Sequence, residues 1–361
     1  MINLLDKILE IFEIIPDKRA GDILIRRFGL GCKKETLESI GRSYGVTRER
    51  IRQIERNIFR KIEKRGILEK LSPEISLVKN YLKSYGGLKK EDVLIDDLAK
   101  KALLEEKIKA GFSPKNIDGL NFRNVDQAKG ILFLFLNLGR EFSRYSGDRE
   151  IHPVWALNKE SIEKAKTFLA NLTRFLEGRD QTISEEELLD LIKRQGSKIS
   201  QKEISSYLES SRLINKNPLG HYGLTRWVDI TPKGMGDRAW LVLRQAGRPL
   251  HFLEITRRID QLFSDSRKPY APTVHNALIR DPRFILVGRG VYALKGWDYH
   301  PGPTLEVIRE VIQERGPQTK EEILSVIQQK KLVKTTTILA YLQNKKYFRR
   351  NKDGKYEMVK R

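Results

Sequence analysis

Apolar residues recur at helical spacing at the start of the chain. They lie three or four positions apart, at Leu4, Leu5, Ile8, Ile11, Phe12 and Ile15. This spacing predicts an amphipathic helix, which Pro16 ends because proline disrupts a helix interior. A second helix is predicted from Arg19 to Phe28. We expect both to pack behind the next helix pair and to complete a small helical domain ending near Leu71.

The stretch from Thr36 to Arg65 predicts two helices joined by a tight turn. Thr36 and Thr47 are suitable N-caps, because a threonine hydroxyl accepts a bond from a backbone N–H of the first turn. Gly41 is small where the two helices cross. Gly45 can take the left-handed conformation that ends a helix. The pair therefore predicts a helix-turn-helix motif.

The second of these helices has an apolar side and a basic side. With about 100° of rotation per residue, four isoleucines share one side: Ile51, Ile54, Ile58 and Ile62. The opposite side carries four arginines, with a carboxylate and an amide in or beside their band: Arg48, Arg52, Arg56, Arg60, Glu49 and Gln53. Guanidinium, carboxylate and amide groups can read base edges in the major groove. We predict that this helix binds DNA; the competing interpretation is an ordinary solvated face.

The rest of the chain contains a repeat. Extended segments carry an aromatic residue followed, two positions later, by leucine or methionine. The aromatic residues are Trp155, Tyr222, Tyr292 and Tyr356, spaced by 64–70 residues. A period of that length indicates tandem domains, because solenoid repeats are usually shorter.

The clearest repeat predicts helices over Arg238–Ala246, Phe252–Phe263 and Thr273–Arg280, followed by strands over Phe284–Val287 and Val291–Leu294. Three helices followed by a hairpin make a winged helix. The hairpin turns at a Gly-Arg-Gly sequence, and Arg289 at its tip could enter a minor groove or be an ordinary turn residue.

The last repeat follows the same plan. Helices are predicted over 304–314 and 320–330, and a third is predicted after a cap formed by Thr335–Thr337. Its hairpin, 347–359, turns at Asn351–Gly354. Arg349, Arg350 and Lys352 cluster there, as contact between the wing and phosphates requires.

Two earlier units are less regular. The second unit predicts helices over 161–176, 185–195 and 201–211 and a hairpin around 215–220. The first predicts helices over 73–83, 92–104 and 125–138 and a hairpin turning at 146–148. Winged helices also serve as protein-docking modules. DNA contact is therefore a separate prediction for each unit.

Charge favours a polyanionic partner. The 361 residues include 69 Lys and Arg against 47 Asp and Glu, a formal charge of +22. Residues 47 to 65 alone hold eight basic and three acidic side chains. No apolar run has the roughly 20 residues of a membrane span, and no signal peptide is evident. We expect a cytoplasmic, nucleoid-associated protein.

The sequence predicts no catalysis, no cofactor and no metal. Cys32 is the single cysteine, so neither a disulfide framework nor a thiolate metal site can form within the chain. The five histidines are scattered, with no pair at one-turn spacing. The chain also has neither a phosphate-binding glycine loop with lysine nor a nucleophile elbow.

The segment FGLGCKKETLESIGRSYGVTRERIRQIERNIFRKI closely resembles region 4 of the bacterial sigma-70 family. The resemblance implies that this helix reads the upstream promoter element through Arg48, Glu49, Arg52 and Gln53. It also implies docking on core RNA polymerase. The family's region that melts the downstream element would need a long aromatic-rich helical stretch, which this chain does not show. We therefore do not expect autonomous sigma activity.

The third winged-helix unit resembles the HARE-type helix-turn-helix domain. The similarity rests on Arg248–Leu250, Glu254–Ile255 and Phe284–Leu294. That family occurs beside transcription and DNA-modifying machinery, and the resemblance implies contact with nucleic acid.

Together these patterns predict a mainly α fold with small β-hairpins (α+β), in which an N-terminal helix-turn-helix domain precedes tandem winged helices. The expected domains are 1–71, 72–158, 159–231, 235–298 and 302–361. The expected backbone contacts to DNA are Thr47, Arg56, Arg60 and Lys64. We predict a sequence-specific DNA-binding transcription factor that is sigma-like or associated with RNA polymerase and acts in transcription initiation or its regulation. Its expected partners are double-stranded DNA and, as the resemblance implies, core RNA polymerase. The alternatives are a DNA-binding regulator or architectural protein without polymerase contact, and a winged-helix scaffold for protein interactions.

Overall fold

The computed structural model describes residues 10–13, 15, 17–101, 124–194, 199–263, 268–300 and 302–359. The chain forms two compact units. The first comprises Met1–Gln181 and Glu185–Asn215, and the second comprises Thr182–Ser184 and Lys216–Arg361. Both are built from short helices with small antiparallel sheets, which confirms the mainly α, α+β class.

The first unit begins with a helical segment at residues 10–13. The helices that follow are α1 (Lys18–Phe28), α2 (Leu37–Ser43), α3 (Arg48–Lys64), α4 (Ile67–Lys70), α5 (Ser72–Ser84), α6 (Glu91–Lys101) and α7 (Val125–Leu138). Leu4, Leu5, Ile8 and Pro16, and the predicted helix end at Leu104, lie outside the described residues.

A three-stranded antiparallel sheet lies in the first unit. It consists of β1 (Leu88–Lys90), β2 (Ser143–Tyr145) and β3 (Val154–Ala156), with β3 in the centre. The sequence predicts β2 and β3 as a hairpin but gives no sign of β1, which pairs with β3 from the other side.

One hydrophobic core joins the helix-turn-helix region to the residues that follow it. Phe28 of α1 contacts Phe133 of α7, with ring centroids 5.8 Å apart. The two helices meet so closely that a Cβ at Gly130 would collide with the carbonyl oxygen of Gly29. The same core includes Ile11 and Trp155. This core includes residues on both sides of residue 71, where the first expected domain ends. The expected domain bounds stay predictions.

Three further helices complete the first unit: α8 (Lys159–Arg179), α9 (Glu185–Arg194) and α10 (Gln201–Ser210). The predicted end of α9 at Gln195 is outside the described residues. Helix α10 begins with a capping box, in which Ser200 and Glu203 each bond the other's backbone N–H. It packs on β1, where the Ser206 hydroxyl donates to the carbonyl oxygen of Leu88 (2.6 Å).

The unit boundary falls within β4 (Ile214–Lys216), and β5 (Tyr222–Leu224) follows. The second unit then continues with α11 (Met235–Ala246), β6 (Leu250–His251), α12 (Phe252–Leu262), α13 (Ala271–Arg280), β7 (Phe284–Gly288) and β8 (Val291–Leu294). Helix α11 begins three residues earlier than predicted. The two-residue strand β6 pairs with β8 and was not predicted. Residues from all three helices and the sheet share one core.

The C-terminal winged helix consists of α14 (Thr304–Arg315), α15 (Lys320–Lys330), α16 (Thr335–Gln343), β9 (Phe348–Arg350) and β10 (Tyr356–Met358). The prediction that Thr335–Thr337 caps the third helix from outside is wrong. These threonines form its first turn, and Lys334 occupies the N-cap position without a side-chain bond. Threonine is compatible with a helix, so the cap pattern alone misplaced the helix start.

Candidate nucleic-acid interface

The helix-turn-helix owes its geometry to two capping threonines and two glycines. Thr36 Oγ1 accepts a bond from the N–H three residues on (3.1 Å), and Thr47 Oγ1 does the same for α3 (3.2 Å). Gly45 has φ +65°, in the left-handed region. A Cβ at Gly41 would lie 2.7 Å from the carbonyl oxygen of Val46, so only glycine lets α2 approach the turn. The turn therefore fixes where α3 begins.

The apolar side of α3 anchors it. Ile51 is fully buried against α1 and α2, and Ile58 and Ile62 are buried in the larger core. Ile54 is half-buried between the two clusters. The predicted packing side is therefore the observed one, and α3 is held along its length.

The outward side of α3 presents the predicted contact residues. Arg48, Glu49, Gln53, Arg56, Arg60 and Lys64 are exposed, as is Thr47 before them, and Arg52 is half-exposed. The structure thus brings all eight to one helix and its cap. Which of them contact bases and which contact phosphates stays a prediction.

Arg52 and Glu49 form a two-pronged ion pair on the exposed surface. The Nε and Nη2 of Arg52 donate to the two carboxylate oxygens of Glu49, at 2.7 and 2.5 Å. These bonds lower the pKa of Glu49 and raise the pKa of Arg52. Both groups therefore stay charged at neutral pH, and each holds the other in one orientation before any ligand binds.

An inward-facing carboxylate closes the other edge of the helix. Glu55 is half-buried, and burial raises its pKa, while Arg27 of α1 opposes that shift. The Nε of Arg27 lies 3.6 Å from a Glu55 oxygen. Glu55 therefore connects α3 to α1, and its carboxylate is not part of the surface available to a ligand.

A second ionic cluster holds α1 against α2. Arg26 donates to both oxygens of Glu35 (2.7 and 2.8 Å) and to the hydroxyl of Ser43 (2.9 Å). Hydrogen bonds from Arg26 lower the pKa of Glu35 to about 2. Tyr44 donates to Asp22 (2.6 Å) beside this cluster. The scaffold under α3 is therefore fixed by charge as well as by apolar packing.

The structure exposes three further polar residues of α3 that were not among the predicted contacts: Arg50, Asn57 and Lys61. The exposed arc is displaced towards them because Glu55 and Phe59 are half-buried on the opposite edge of the arginine band. Arg50 donates to the side-chain oxygen of Gln53 (3.4 Å), so it borders the proposed reading residues. A helical wheel drawn from the sequence would show this shift of the exposed face only if Phe59 were assigned to the packed side.

The candidate wing residues lie in the second unit. Arg289 is exposed in the turn between β7 and β8, and Lys352 is exposed in the turn between β9 and β10. Arg349 is paired with Glu357 (2.7 Å). The guanidinium of Arg350 lies 5.2 Å from the centre of the Tyr356 ring. All four are exposed, but Arg349 already has a carboxylate partner.

Within the described ranges, no group of three or more His, Cys, Asp or Glu side chains could hold a metal ion. None of the described helices is long and apolar enough to cross a bilayer. The Nε2 atom of His300 lies 2.8 Å from a carboxylate oxygen of Glu310.

Comparison with known families identifies two helix-turn-helix domains. Residues 17–64 match the family model described as sigma-70, region 4. Residues 235–297 match the HARE-HTH model, whose description includes the ASXL and restriction endonuclease HTH domain. Both resemblances seen in the sequence are therefore confirmed. Both are DNA-binding types of domain and neither is enzymatic. No solved structure matches the chain.

Proposed function

We propose that this protein is a sequence-specific transcription factor that acts at initiation together with core RNA polymerase. Its reading element is α3, and it acts in the cytoplasm on the nucleoid. The observation that carries this proposal is the exposed basic face of α3 on a helix anchored along its other side. The match of residues 17–64 to sigma-70 region 4 supports the promoter context.

In this proposal the exposed residues divide into two groups. Arg48, Glu49, Arg52 and Gln53 read base edges, and Thr47, Arg56, Arg60 and Lys64 contact the backbone. Thr47 accepts the capping bond, which leaves its O–H as a donor to a phosphate oxygen. The contacts at the helix start enter the groove, and those farther along follow the backbone.

The Glu49–Arg52 pair gives the proposed reading its specificity. A carboxylate accepts from the cytosine amine, and an arginine donates to guanine O6 and N7. Because each group orients the other, less side-chain entropy is lost on binding. A base pair that binds only Glu49 or only Arg52 separates the ion pair and leaves the other residue without a partner. Such a mismatched base pair is bound more weakly.

The packing restricts where the proposed polymerase contact can lie. The apolar side of the helix-turn-helix is buried against α1 at Ile51, and in the core that includes α7 at Ile58 and Ile62. A protein partner docking there would have to displace α1 or α7. We therefore assign the polymerase contact to the exposed polar surface of the module.

The test is a selection of genomic DNA fragments by the purified full chain, with and without core polymerase. We expect one enriched motif that requires α3. Arg52→Ala and Gln53→Ala should each lower the preference for that motif by roughly 5- to 150-fold. Arg60→Ala should weaken all sequences alike. If all three variants weaken random DNA and the motif equally, α3 does not read bases.

The second candidate is a DNA-binding regulator or architectural protein that does not contact polymerase. The exposed basic wing residues of the second unit favour it, because they offer DNA contacts that region 4 alone lacks. A motif found without polymerase, together with no co-purification of core enzyme, would support this candidate. A motif found only with polymerase would support the first.

A further inference from the structure

We propose that the C-terminal winged helix is a second DNA-reading module, in which α16 enters the major groove and the β9–β10 wing contacts the backbone. Neither matched family covers these residues. The inference goes beyond α3 and does not depend on it.

The first argument is charge. From Lys331 to Lys352 the chain has seven Lys or Arg and no Asp or Glu. Lys331 is buried and donates to the carbonyl oxygen of Gly302, so it serves the fold. The other six are exposed: Lys334, Lys345, Lys346, Arg349, Arg350 and Lys352. This excess of exposed basic side chains fits a phosphate backbone.

The second argument is the outward face of α16. Ile338 and Leu342 are buried in the core. Thr336, Ala340 and Gln343 are at positions i, i+4 and i+7, which lie on one side of a helix. Small side chains let a helix approach the groove floor, where threonine and alanine contact thymine methyls and glutamine reads adenine.

This face differs from that of α13, the third helix of the HARE-like domain. On α13, Ile279 has 62% of its surface exposed, and Tyr270 at its N-cap has 69%. An exposed isoleucine and tyrosine on one helix also suit a protein partner. On α16, every residue of which is described, no large apolar side chain is exposed, so its face matches DNA better than protein.

The third argument is the rigidity of the wing. Phe348, at the start of β9, is 1% exposed and fixes the hairpin in the core. At the tip, Asn351 Oδ1 accepts bonds from the N–H groups of Asp353 (3.0 Å) and Lys355 (2.9 Å). Arg350 and Lys352 are therefore carried on an ordered hairpin. Arg349 contributes less because Glu357 already binds it.

The two winged helices of this unit are also joined to each other. The N–H of Leu332 donates to the carbonyl oxygen of Val287 in β7 (3.1 Å). A Cβ at Gly288 would lie 2.7 Å from the Leu332 carbonyl oxygen, so the backbones are in close contact. The residue after Gly288 is Arg289. Two residues lie between Leu332 and the start of α16 at Thr335, so the span is at most about 11 Å. Arg289 and α16 can thus share one turn of DNA, about 34 Å.

The first test measures the salt dependence of binding to random duplex DNA by the full chain. Replacing Lys345, Lys346, Arg350 and Lys352 with alanine should reduce the magnitude of the log K against log salt slope by about 3 to 4, at about 0.9 per lost phosphate contact. The matched control removes the same charge from exposed residues of the first unit: Lys83, Lys159, Lys193 and Arg194. An unchanged slope, or an equal change in the control, would overturn the inference.

The second test uses Gln343→Ala, a change outside the core. Selection of DNA by the full chain should yield two elements. Gln343→Ala should relax one by roughly 5- to 150-fold and leave the other unchanged, whereas Gln53→Ala should do the reverse. If Gln343→Ala changes neither element, α16 is not a reader. If Gln53→Ala changes neither element while Gln343→Ala relaxes one, the proposed function of α3 is contradicted and this inference stands.

Discussion

Helices α3 and α10 each follow two other helices, but α3 exposes most of its polar side chains and α10 buries several of its own. On α10, Ser206 and Ser210 have no exposed surface and Tyr207 is 3% exposed. On α3 the buried residues are isoleucines, and most of the polar side chains are exposed. The position of a helix at the end of a helix-turn-helix-like group therefore does not by itself identify it as a DNA-reading helix.

The difference follows from what each helix packs against. Helix α10 lies on β1, where the nearly buried Lys89 bonds Glu209 (3.2 Å). It carries one lysine and two glutamates, against seven basic and three acidic residues on α3. Charge balance thus distinguishes the two helices better than their apolar spacing does. Helix α16 itself carries no charged residue, and its basic groups lie on the segments that flank it.

The largest expected effect comes from placing a carboxylate on each helix. Ser206→Glu buries a charge where a serine hydroxyl bonds a backbone carbonyl, so the free energy of unfolding should fall by roughly 4 kcal/mol or more. Gln53→Glu puts the same group on an exposed face. It should leave unfolding almost unchanged and weaken DNA binding, because the carboxylate repels phosphate.

Denaturant unfolding and DNA titration of both full-chain variants check this pair. If Ser206→Glu folds as well as the unaltered protein, α10 is not a packing helix. If Gln53→Glu binds DNA normally, the exposed side of α3 does not face the ligand.

The next effect comes from two glycines, one beside each helix. A Cβ at Gly41 would crowd the Val46 carbonyl oxygen, and one at Gly86 would lie 2.7 Å from the Tyr207 hydroxyl. Gly41→Ala and Gly86→Ala should each reduce stability by about 1–3 kcal/mol. Only Gly41→Ala should also weaken DNA binding under conditions where both variants are folded, because it shifts the start of α3.

The matched measurement is binding affinity well below each variant's melting temperature. Equal affinities for the two variants would show that the position of α3 tolerates a displaced turn. A loss of affinity in Gly86→Ala would show that α10 and α3 are coupled.

Local patterns predicted the helix-turn-helix well. The caps, the turn glycine and the buried isoleucines of α3 all follow from interactions between residues close in sequence. The burial of α10 does not, because the partner of Ser206 is Leu88, 118 residues away. Strands β1 and β6 were not predicted, since each pairs with a strand that is distant in the sequence and neither belongs to a local hairpin.

At the candidate site, sequence patterns identified the right helix but an incomplete exposed face. Arg50, Asn57 and Lys61 were missed because Glu55 and Phe59, within or beside the arginine band, are half-buried, so the exposed face extends past the other edge of that band. The pairing of Arg52 with Glu49 could be expected from their spacing, whereas that of Arg27 with Glu55 required the packing of α1. The reading roles themselves remain predictions.

A smaller effect is expected from Glu49→Gln. The change removes a negative charge from the surface proposed to face DNA, so affinity for random DNA should rise roughly 3- to 10-fold at low salt. Preference at one base pair should fall at the same time, because the carboxylate proposed to read cytosine is gone. The comparable change on α10, Glu209→Gln, should leave DNA affinity unchanged. A fall in random affinity for Glu49→Gln would mean that Arg52 needs its partner in order to bind.

The smallest effect concerns acid stability of the scaffold under α3. The pKa of Glu35 is about 2 in the folded chain, well below the ordinary glutamate value of 4.5, because Arg26 donates to both its oxygens. A depressed carboxyl pKa stabilises the fold at pH above about 4.5, and that stabilisation is lost as pH falls towards 2. Glu35 is partly exposed, so solvent screening makes the loss modest.

Glu35→Gln should therefore lower stability at pH 7 but leave a shallower decline between pH 4.5 and 2 than in the unaltered chain. Denaturant unfolding at fixed salt across that range measures both. The pH dependence of stability should change for the helix-turn-helix and not for the region around α10, because the Arg26 cluster joins α1 to α2. An identical pH profile in the variant would show that Arg26 holds α1 and α2 together without the Glu35 charge, and that the position of α3 depends on the glycine turn and apolar packing alone.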